Sequence, residues 1–322
     1  KSNCGRMPMP GLATSASFEI SILIPNGIKH HSGGNFYNKK MIAALEEAGL
    51  KIHIHSIHRE AKESISFGNS GDLIIVDGFL IEQLRFQNDP RKKILLCHGD
   101  SQGNSSIFNH FDGIVAVGAS QLPRNTPRAS VIPPAIDHFP SIARKARRPC
   151  LQMVSVGAIS QDKGQLYLLH SVQVLQHLPW ELHLIGSLNA DPDYVDAVEK
   201  FLQRLQWKGR VYLHGEKDHC EIAEVFSYSD IYLSCAPYET FGIAIQEAQK
   251  SKLPIANCAD GYPRQHLDAK SGWQIHDRCP VILGNFLREK LINCDIHPTP
   301  GIGFERTWQQ VGRDWLELLD AV

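Results

Sequence analysis

The chain has 322 residues, 43% of them hydrophobic, and a formal net charge of −1 at pH 7. This length accommodates two domains of ordinary size, and the balanced charge argues against nucleic acid as a partner. None of its apolar stretches reaches the ~20 residues that span a bilayer. Its eight cysteines form no C-x-x-C pair, which is typical of a cytoplasmic protein.

The first half of the chain alternates apolar strands with a helical pattern. Residues 1–17, rich in proline, glycine, serine and methionine, are predicted to be a disordered lead. A helix is predicted over residues 35–48, because apolar residues recur there at helical spacing and Gly49 follows. Buried strands are predicted at Glu19–Pro25 and at residues 51–56, 72–76, 93–97, 113–117 and 130–132. Continuous apolar strands separated by helices indicate a parallel sheet covered on both faces.

The second half repeats this pattern after a charged linker at residues 144–149. Strands are predicted at residues 153–156, Trp180–Ile185, Val211–Leu213, Ile231–Ser234 and 254–257, and helices at 165–178, 194–205 and 308–319. The sequence therefore predicts an α/β protein with two doubly wound, Rossmann-like domains, residues 18–146 and 147–304, which face a central crevice where ligands bind. The C-terminal segment 305–322 is expected to pack back on the first domain.

Residues 239–247 carry the strongest indication of function. They follow the apolar strand Ile231–Ser234 and lead into a helix predicted to start near Phe241. The free N–H groups of a helix start bind anions, and carboxylates at both ends, Glu239 and Glu247, suit hydroxyl groups on either side of a phosphate. This combination fits a sugar–diphosphate–ribose. The alternative is an ordinary helix start, where acidic residues are common.

Two glycine-containing loops precede helices at the predicted crevice. Gly157 ends the first strand of the second domain and is followed by Lys163, whose ammonium group would attract phosphate. Gly33 and Gly34 follow the first strand of the chain and would let the backbone approach an anion closely. They do not form the G-x-G-x-x-G of nicotinamide sites. A solvated lysine and a flexible turn are the respective alternatives.

His98 and the basic linker are weaker candidates. His98 directly follows a predicted strand, where it could hydrogen-bond a sugar, act in acid–base chemistry, or cap the next segment. The basic residues within 144–148 would allow contact with anionic lipid, although a solvated linker is favoured. No His or Cys cluster has metal-ligand spacing, so no metal is expected.

Together these segments resemble the GT-B glycosyltransferases of family 4. Residues 154–164 look like the phosphate loop of that family, and residues 238–248 look like its E-x7-E signature. The match runs nearly end to end in the second domain and is more divergent in the first. There, Gly33-Gly34, the strand leading to His98, and residues 131–137 fall where the family has its acceptor-side glycine loop, active-site histidine and interdomain strand.

The resemblance implies a retaining, hexosyltransferase-type enzyme that moves a sugar from a nucleotide-diphosphate donor to a saccharide, lipid or small-molecule acceptor. It implies no metal and no cofactor, and a cytoplasmic location with peripheral membrane contact left open. Glu247 would hold the ribose hydroxyls, Glu239 would face the donor sugar, Lys163 with the helix start would stabilise the leaving diphosphate, and His98 would be catalytic. The expected donor-binding residues are Gly33, Gly34, Gly157, Lys163, Glu239, Thr240, Phe241, Gly242 and Glu247.

Two departures from the family pattern keep other functions open. Ala158 stands where the family often carries arginine, and residues 261–264 replace a loop in which many members keep a second glycine and an acid. Lys163 must then carry more of the charge, or Arg264 supplies the missing cation. The alternatives are a catalytically weak or inactive nucleotide-sugar-binding protein, and a GT-B nucleotide-sugar epimerase or a phosphorylase.

Overall fold

A computed structural model provides the architecture of the chain. It describes residues 18–26, 32–58, 71–81, 89–99, 105–122, 126, 128–146, 148–207, 209–293, 295–297, 299 and 306–322. The predicted disordered lead at residues 1–17 lies outside these ranges. So does the predicted boundary between residues 304 and 305.

The first sheet has six strands that all run parallel. They are β1 (Glu19–Pro25), β2 (Lys51–Ile57), β3 (Leu73–Asp77), β4 (Lys92–Cys97), β5 (Gly113–Ala116) and β6 (Ala129–Val131). They lie in the order β2-β1-β3-β4-β5-β6, and each neighbouring pair is parallel. Every residue of β3 and β5 is buried, as expected for strands covered on both faces. All six strands lie within one residue of their predicted bounds.

The second sheet is built in the same way. The strands of this half are β7 (Leu151–Val156), β8 (Trp180–Ile185), β9 (Val211–Leu213), β10 (Ile231–Ser234), β11 (Tyr238–Glu239), β12 (Ile255–Asn257), β13 (Asp260–Gly261) and β14 (Gly272–Gln274). Six of them form a sheet in the order β14-β12-β10-β7-β8-β9, and β11 pairs with β13 separately. The prediction of two doubly wound α/β domains is confirmed. Glu239, predicted on a loop, instead ends the short strand β11.

The described residues contain eight α-helices. They are α1 (Gly33–Glu47), α2 (Gln165–Val172), α3 (Pro192–Arg204), α4 (His219–Tyr228), α5 (Ile243–Lys250), α6 (Tyr262–His266), α7 (Pro280–Ile292) and α8 (Trp308–Ala321). The start of α1 corrects the prediction, because the side chain of Ser32 accepts a hydrogen bond from the Asn35 N–H and caps the helix. Gly33 and Gly34 therefore lie in its first turn rather than in a loop before it.

Four further helices differ from the prediction. Residues 165–178 were predicted as one helix, but α2 ends at Val172 and a single 3₁₀ turn follows. The helices α4 and α7 were missed, and so was α6, where residues 261–264 were predicted as a loop. The sequence does carry a start signal for α4, since Asp218 and Glu221 form a reciprocal capping box. For α7 the signal is Pro280 at its first position.

The C-terminal helix α8 packs against α1. The indole N–H of Trp315 donates to the Tyr37 hydroxyl at 2.9 Å, and Gly312 lies so close to Ala44 that an added Cβ would be 2.8 Å from the Ala44 Cβ. Both Trp315 and Tyr37 belong to the core cluster of the first sheet. None of the described helices is both long and apolar enough to cross a membrane.

The described part of the predicted charged linker is mostly exposed, and it also contacts α4. The backbone N–H of Lys145 donates to the Ser227 carbonyl at 2.8 Å, and its ammonium group pairs with Glu224 at 2.9 Å. The Arg144 guanidinium donates to the Ser229 carbonyl. The Lys145 side chain is still 51% exposed, which agrees with the solvated linker that the sequence favoured.

Candidate functional site

Two strand ends bring Lys163 and Glu239 into contact. Lys163 follows β7 and Glu239 follows β10, which is the neighbour of β7 at the point where the strand order of the second sheet reverses. Ligands bind outside the carboxyl ends of strands at this point in such sheets. The Lys163 Nζ lies 2.6 Å from the Glu239 Oε1, and the side chains are 34% and 19% exposed. The two predicted site residues therefore form a half-exposed ion pair.

Glycines shape the loop that carries Lys163. Gly164 has a φ of +72°, and a Cβ added to it would lie 2.3 Å from the Cys235 carbonyl oxygen. Only glycine combines this conformation with so close an approach. Gly157 lies against the stem of Lys163, since its added Cβ would be 3.3 Å from the lysine Cγ and Cδ. Gly164 thus lets the loop pack against Cys235, and Gly157 leaves room for the lysine stem.

The helix start at α5 faces the first domain. Gly242 caps it with a φ of +79°, so α5 begins at Ile243 rather than near Phe241. A Cβ on Gly118, after β5, would lie 2.8 Å from the Thr240 carbonyl oxygen, which shows how closely the two domains approach. The Phe241 side chain is 2% exposed and belongs to the core cluster of the first sheet. Its ring therefore joins the two domains.

Glu247 lies in a very different environment from Glu239. The residue is 3% exposed. Its Oε1 lies 3.1 Å from the His138 Nε2 and 3.5 Å from the His219 Nε2. Burial raises the pKa of Glu247 to about 8, against the opposing effect of Lys250. Burial also lowers the pKa of His138 to about 3, with the charges of His219, Lys40 and Lys250 acting in the same direction.

His138 and His219 are site residues that the sequence analysis missed. His138 lies in the segment between β6 and β7, and His219 is the first residue of α4. The two histidines are therefore far apart in the sequence, and no spacing pattern connects them. The Phe36 ring, on α1, packs against both imidazoles with ring centroids 4.4 Å and 4.9 Å away. Phe36 thus covers the histidines beside Glu247 from the side of the first domain.

The donor set of His138, His219 and Glu247 has the spacing of a metal site, with its ligand atoms within 4.8 Å of one another. The hydrogen bonds around it do not fit one. The Trp308 indole N–H donates to the His138 Nδ1 at 3.1 Å, and an indole nitrogen can only donate. The proton of the neutral imidazole then lies on Nε2, the atom that would have to offer a lone pair to the metal.

His98 lies against Gly34 at the start of α1. A Cβ on Gly34 would be 3.2 Å from the His98 Cγ. The His98 Nε2 lies 2.8 Å from the Asn38 Oδ1 and 3.6 Å from the Asp77 Oδ2. Burial lowers its pKa, while Asp77 acts in the opposite direction. Gly33 faces the second domain, with its added Cβ 3.5 Å from the Ile243 Cδ1.

Arg264 and Arg278 are the two candidate replacements for the cation absent at Ala158. Arg264 is exposed and pairs with Asp260. Arg278, which the sequence analysis did not single out, lies closer to the Lys163 loop. Its guanidinium donates to the carbonyls of Cys235 and Ala236 at 2.8 Å and 2.9 Å, and it lies 3.0 Å from a Cβ added at Gly164.

Sequence comparisons concern mainly the second half of the chain. Residues 144–279 match the family described as Glycosyl transferases group 1. The D-inositol 3-phosphate glycosyltransferase of Xylanimonas cellulosilytica is 28% identical over 148 residues, which cover 42% of this chain and 36% of that protein. The matched segment spans only about a third of the length of the curated relatives.

Solved structures match the chain along almost its whole length. Anabaena Alr3699/HepE in complex with UDP-glucose aligns with a TM-score of 0.67 and 13% identity, covering 94% of this chain and 100% of that chain. A glycosyltransferase from Rickettsia africae aligns with a TM-score of 0.65 and 14% identity, covering 95% and 97%. The chain therefore has the GT-B fold, and its residues 144–279 are similar to group 1 glycosyl transferases.

Proposed function

We propose that the protein is a retaining glycosyltransferase of family 4 that transfers a hexose from a nucleotide-diphosphate donor to an acceptor. In this proposal Glu239 and Glu247 are the two acids of an E-x7-E signature. The Anabaena HepE structures are complexes with UDP and glucose and with UDP-glucose, which supports a nucleotide sugar as the donor class here.

The observation that carries the proposal is the Lys163–Glu239 ion pair beside the start of α5. When a sugar–oxygen bond breaks, negative charge develops on the leaving diphosphate, and a cation with free helix N–H groups stabilises it. Lys163 would turn from Glu239 to the diphosphate, and Glu239 would then accept hydroxyl hydrogen bonds from the donor sugar. The 2.6 Å distance places the two groups side by side, next to the proposed position of the reacting bond.

Glu247 would bind the ribose of the donor. A carboxylate can accept from two neighbouring hydroxyls, and Glu247 lies on α5 beyond the proposed diphosphate site. Its side chain is only 4% exposed, so a ribose reaches it only when a neighbour moves. Phe36 is the covering ring that belongs to the opposite domain, and its displacement would accompany donor entry.

The first domain would supply the acceptor side. Gly33 and Gly34 would leave room for the transferred sugar, and the buried His98 behind Gly34 would hydrogen-bond it or the acceptor. Lys163 and the α5 start would perform the charge stabilisation that a divalent cation provides in other transferases, so the reaction would be independent of metal.

Donor binding is the first test. Thermal unfolding is measured with UDP-, GDP- and ADP-linked hexoses, because a ligand at a hundred times its Kd stabilises by about 2.7 kcal/mol. One of these donors should raise the Tm of the wild type and do so less for Lys163→Ala. Lys200→Ala is the control, since Lys200 forms only a surface pair with Asp196 on α3. No shift with any nucleotide sugar would refute the proposal.

Donor turnover is the second test, and it separates a transferase from a binding protein. The binding-only alternative is favoured by one observation: Ala158 leaves Lys163 as the cation of this loop, and Glu239 already pairs with it. The wild type should slowly release sugar from the stabilising donor to water, with the anomeric configuration retained in the NMR spectrum. A donor that binds but stays intact, with and without acceptor sugars, would support the binding protein.

A further inference from the structure

Two consecutive hydrogen bonds connect Trp308, on the C-terminal helix α8, to Glu247 through His138. The Trp308 Nε1 lies 3.1 Å from the His138 Nδ1, and the His138 Nε2 lies 3.1 Å from the Glu247 Oε1. The three residues come from α8, the segment after β6, and α5. Ribose binding by Glu247 does not by itself require the hydrogen bonds from Trp308 to His138 and from His138 to Glu247.

The direction of these hydrogen bonds follows from the chemistry of the groups. An indole nitrogen donates and cannot accept, so the His138 Nδ1 is the acceptor. A neutral imidazole has one N–H, which must then lie on Nε2 and point to Glu247. The lowered pKa of His138, caused chiefly by burial, agrees with a neutral ring.

The segment that carries His138 is fixed to α5 at a second point. The Lys250 ammonium, on the same helix as Glu247, donates to the carbonyls of Ile136 and Phe139 at 3.0 Å and 2.6 Å. These bonds hold the backbone on both sides of His138 against the helix. The imidazole therefore has little freedom to move relative to the carboxylate.

We propose that His138, held in one tautomer by Trp308, is a positioning residue that orients the Glu247 carboxylate for the ribose diol of the donor. The inference rests on the proposed role of Glu247. The His138 N–H occupies one lone pair of Oε1 and fixes the plane of the carboxylate, which leaves its remaining lone pairs for two hydroxyl donors. Part of donor recognition in the second domain thus depends on a tryptophan that packs with the first-domain core.

The test compares nucleotides with and without the ribose diol. The tightest-binding of UDP, GDP and ADP is titrated by calorimetry against its 2′,3′-dideoxy analogue. Trp308→Phe and His138→Ala should weaken binding of the ribonucleotide roughly 3- to 10-fold, the range for one hydrogen bond. They should change binding of the dideoxy analogue little. His138→Gln, which keeps an N–H near the position of Nε2, should restore part of the difference.

Trp315→Phe is the matched control. Trp315 is also a buried tryptophan on α8, and its indole N–H also donates one hydrogen bond, to Tyr37 at 2.9 Å. Its removal should lower Tm to a similar extent without changing the preference for the diol. If Trp308→Phe and Trp315→Phe act alike on both nucleotides, the role of Trp308 is structural and the proposal fails.

The outcomes separate this inference from the proposed function. If the wild type binds no nucleotide, or does not prefer the diol, the donor role of Glu247 fails and the inference fails with it. If the wild type prefers the diol and Glu247→Gln loses that preference while His138→Ala keeps it, only the inference fails. A rise in Tm with Zn²⁺ that His138→Ala abolishes would also overturn it, because the Nε2 lone pair would then be free for a metal.

Discussion

Glu239 and Glu247 are at opposite ends of one short segment, yet their surroundings differ in almost every respect. Glu239 is 19% exposed and pairs with the Lys163 ammonium at 2.6 Å. Glu247 is 4% exposed and contacts the neutral imidazole of His138 at 3.1 Å. A partly exposed ion pair can rearrange when charge moves during a reaction, whereas a buried, oriented carboxyl group suits a ligand group whose charge does not change. Because both residues are glutamates, the two roles proposed for them rest on these different environments.

The largest expected effect comes from the ion pair. Lys163→Ala should lower kcat by about a hundred- to thousand-fold, or about 2.7–4 kcal/mol, because the diphosphate gains charge only as the bond breaks. Steady-state kinetics at saturating donor measures this, with Lys200→Ala as the control. A normal kcat with a raised KM would contradict the role. It would show that Lys163 binds the donor equally in the ground state and the transition state. Arg278 would then be the next candidate for stabilising the leaving diphosphate.

The buried glutamate should affect binding more than turnover. Above about pH 8, where Glu247 is ionised, Glu247→Gln is expected to weaken donor binding roughly 10- to 150-fold, since a hydrogen bond to a charged group contributes about 1.5–3 kcal/mol. Glutamine keeps an acceptor for His138, so the fold should persist. Calorimetry with the donor measures the change, and Glu224→Gln, an exposed acid paired with Lys145, is the control. An unchanged Kd would remove Glu247 from the donor site.

The raised pKa of Glu247 predicts a pH-dependent stability. The folded protein keeps a proton on Glu247 up to about pH 8, whereas the unfolded chain releases it near 4.5. The free energy of unfolding therefore falls as pH rises through this window. His138, lowered to about 3 from 6.5, acts in the opposite direction, but only below 6.5.

Between pH 6.5 and 8, of Glu247 and His138 only Glu247 should therefore change the free energy of unfolding. Wild type should lose stability relative to Glu247→Gln by at most about 1.4 kcal/mol per pH unit. Denaturant unfolding of both proteins at a series of pH values measures the difference. Parallel curves would mean that the carboxylate is already ionised in the folded protein.

The smallest expected effect is that of chelation. Activity should survive EDTA, because in the proposed function Lys163 and the α5 start would carry the leaving-group charge, and the tautomer of His138 disfavours a metal beside Glu247. The two acids of Asp191-Pro192-Asp193 do not provide another metal site, since the Asp191 side chain caps α3 by accepting a hydrogen bond from the Tyr194 N–H. Activity that is lost with EDTA and returns with a divalent cation would refute this account of the charge.

The sequence predicted that Lys163 and Glu239 lie at the same edge of one sheet, because the strands before them can be recognised from short apolar runs. Apolar runs located the strands, and the carboxyl ends of neighbouring parallel strands must meet at one edge of the sheet. Lys163 and Glu239 each follow such a strand. The E-x7-E spacing also placed Glu247 on the following helix, although it could not show that this helix turns the side chain into the interior.

The environment of Glu247 could not be predicted in the same way. His138, His219, Phe36 and Trp308 come from four separate elements, and their contacts depend on how the two domains approach each other. Phe241 illustrates the same limit, because its ring is buried in the core of the opposite domain. The start of α1 was misplaced for a different reason: Gly33 and Gly34 suggested a loop, and the Ser32 cap outweighed their low helix propensity.

The comparison of Glu239→Gln with Glu247→Gln tests the central claim most directly. For each variant, Kd for the donor is measured by calorimetry and kcat for its hydrolysis or transfer is measured at saturating donor. Glu239→Gln should mainly lower kcat, because it alters the charge beside the reacting bond. Glu247→Gln should mainly raise Kd. If both variants change Kd and kcat in the same proportion, the two glutamates do not have the separate roles that their surroundings indicate.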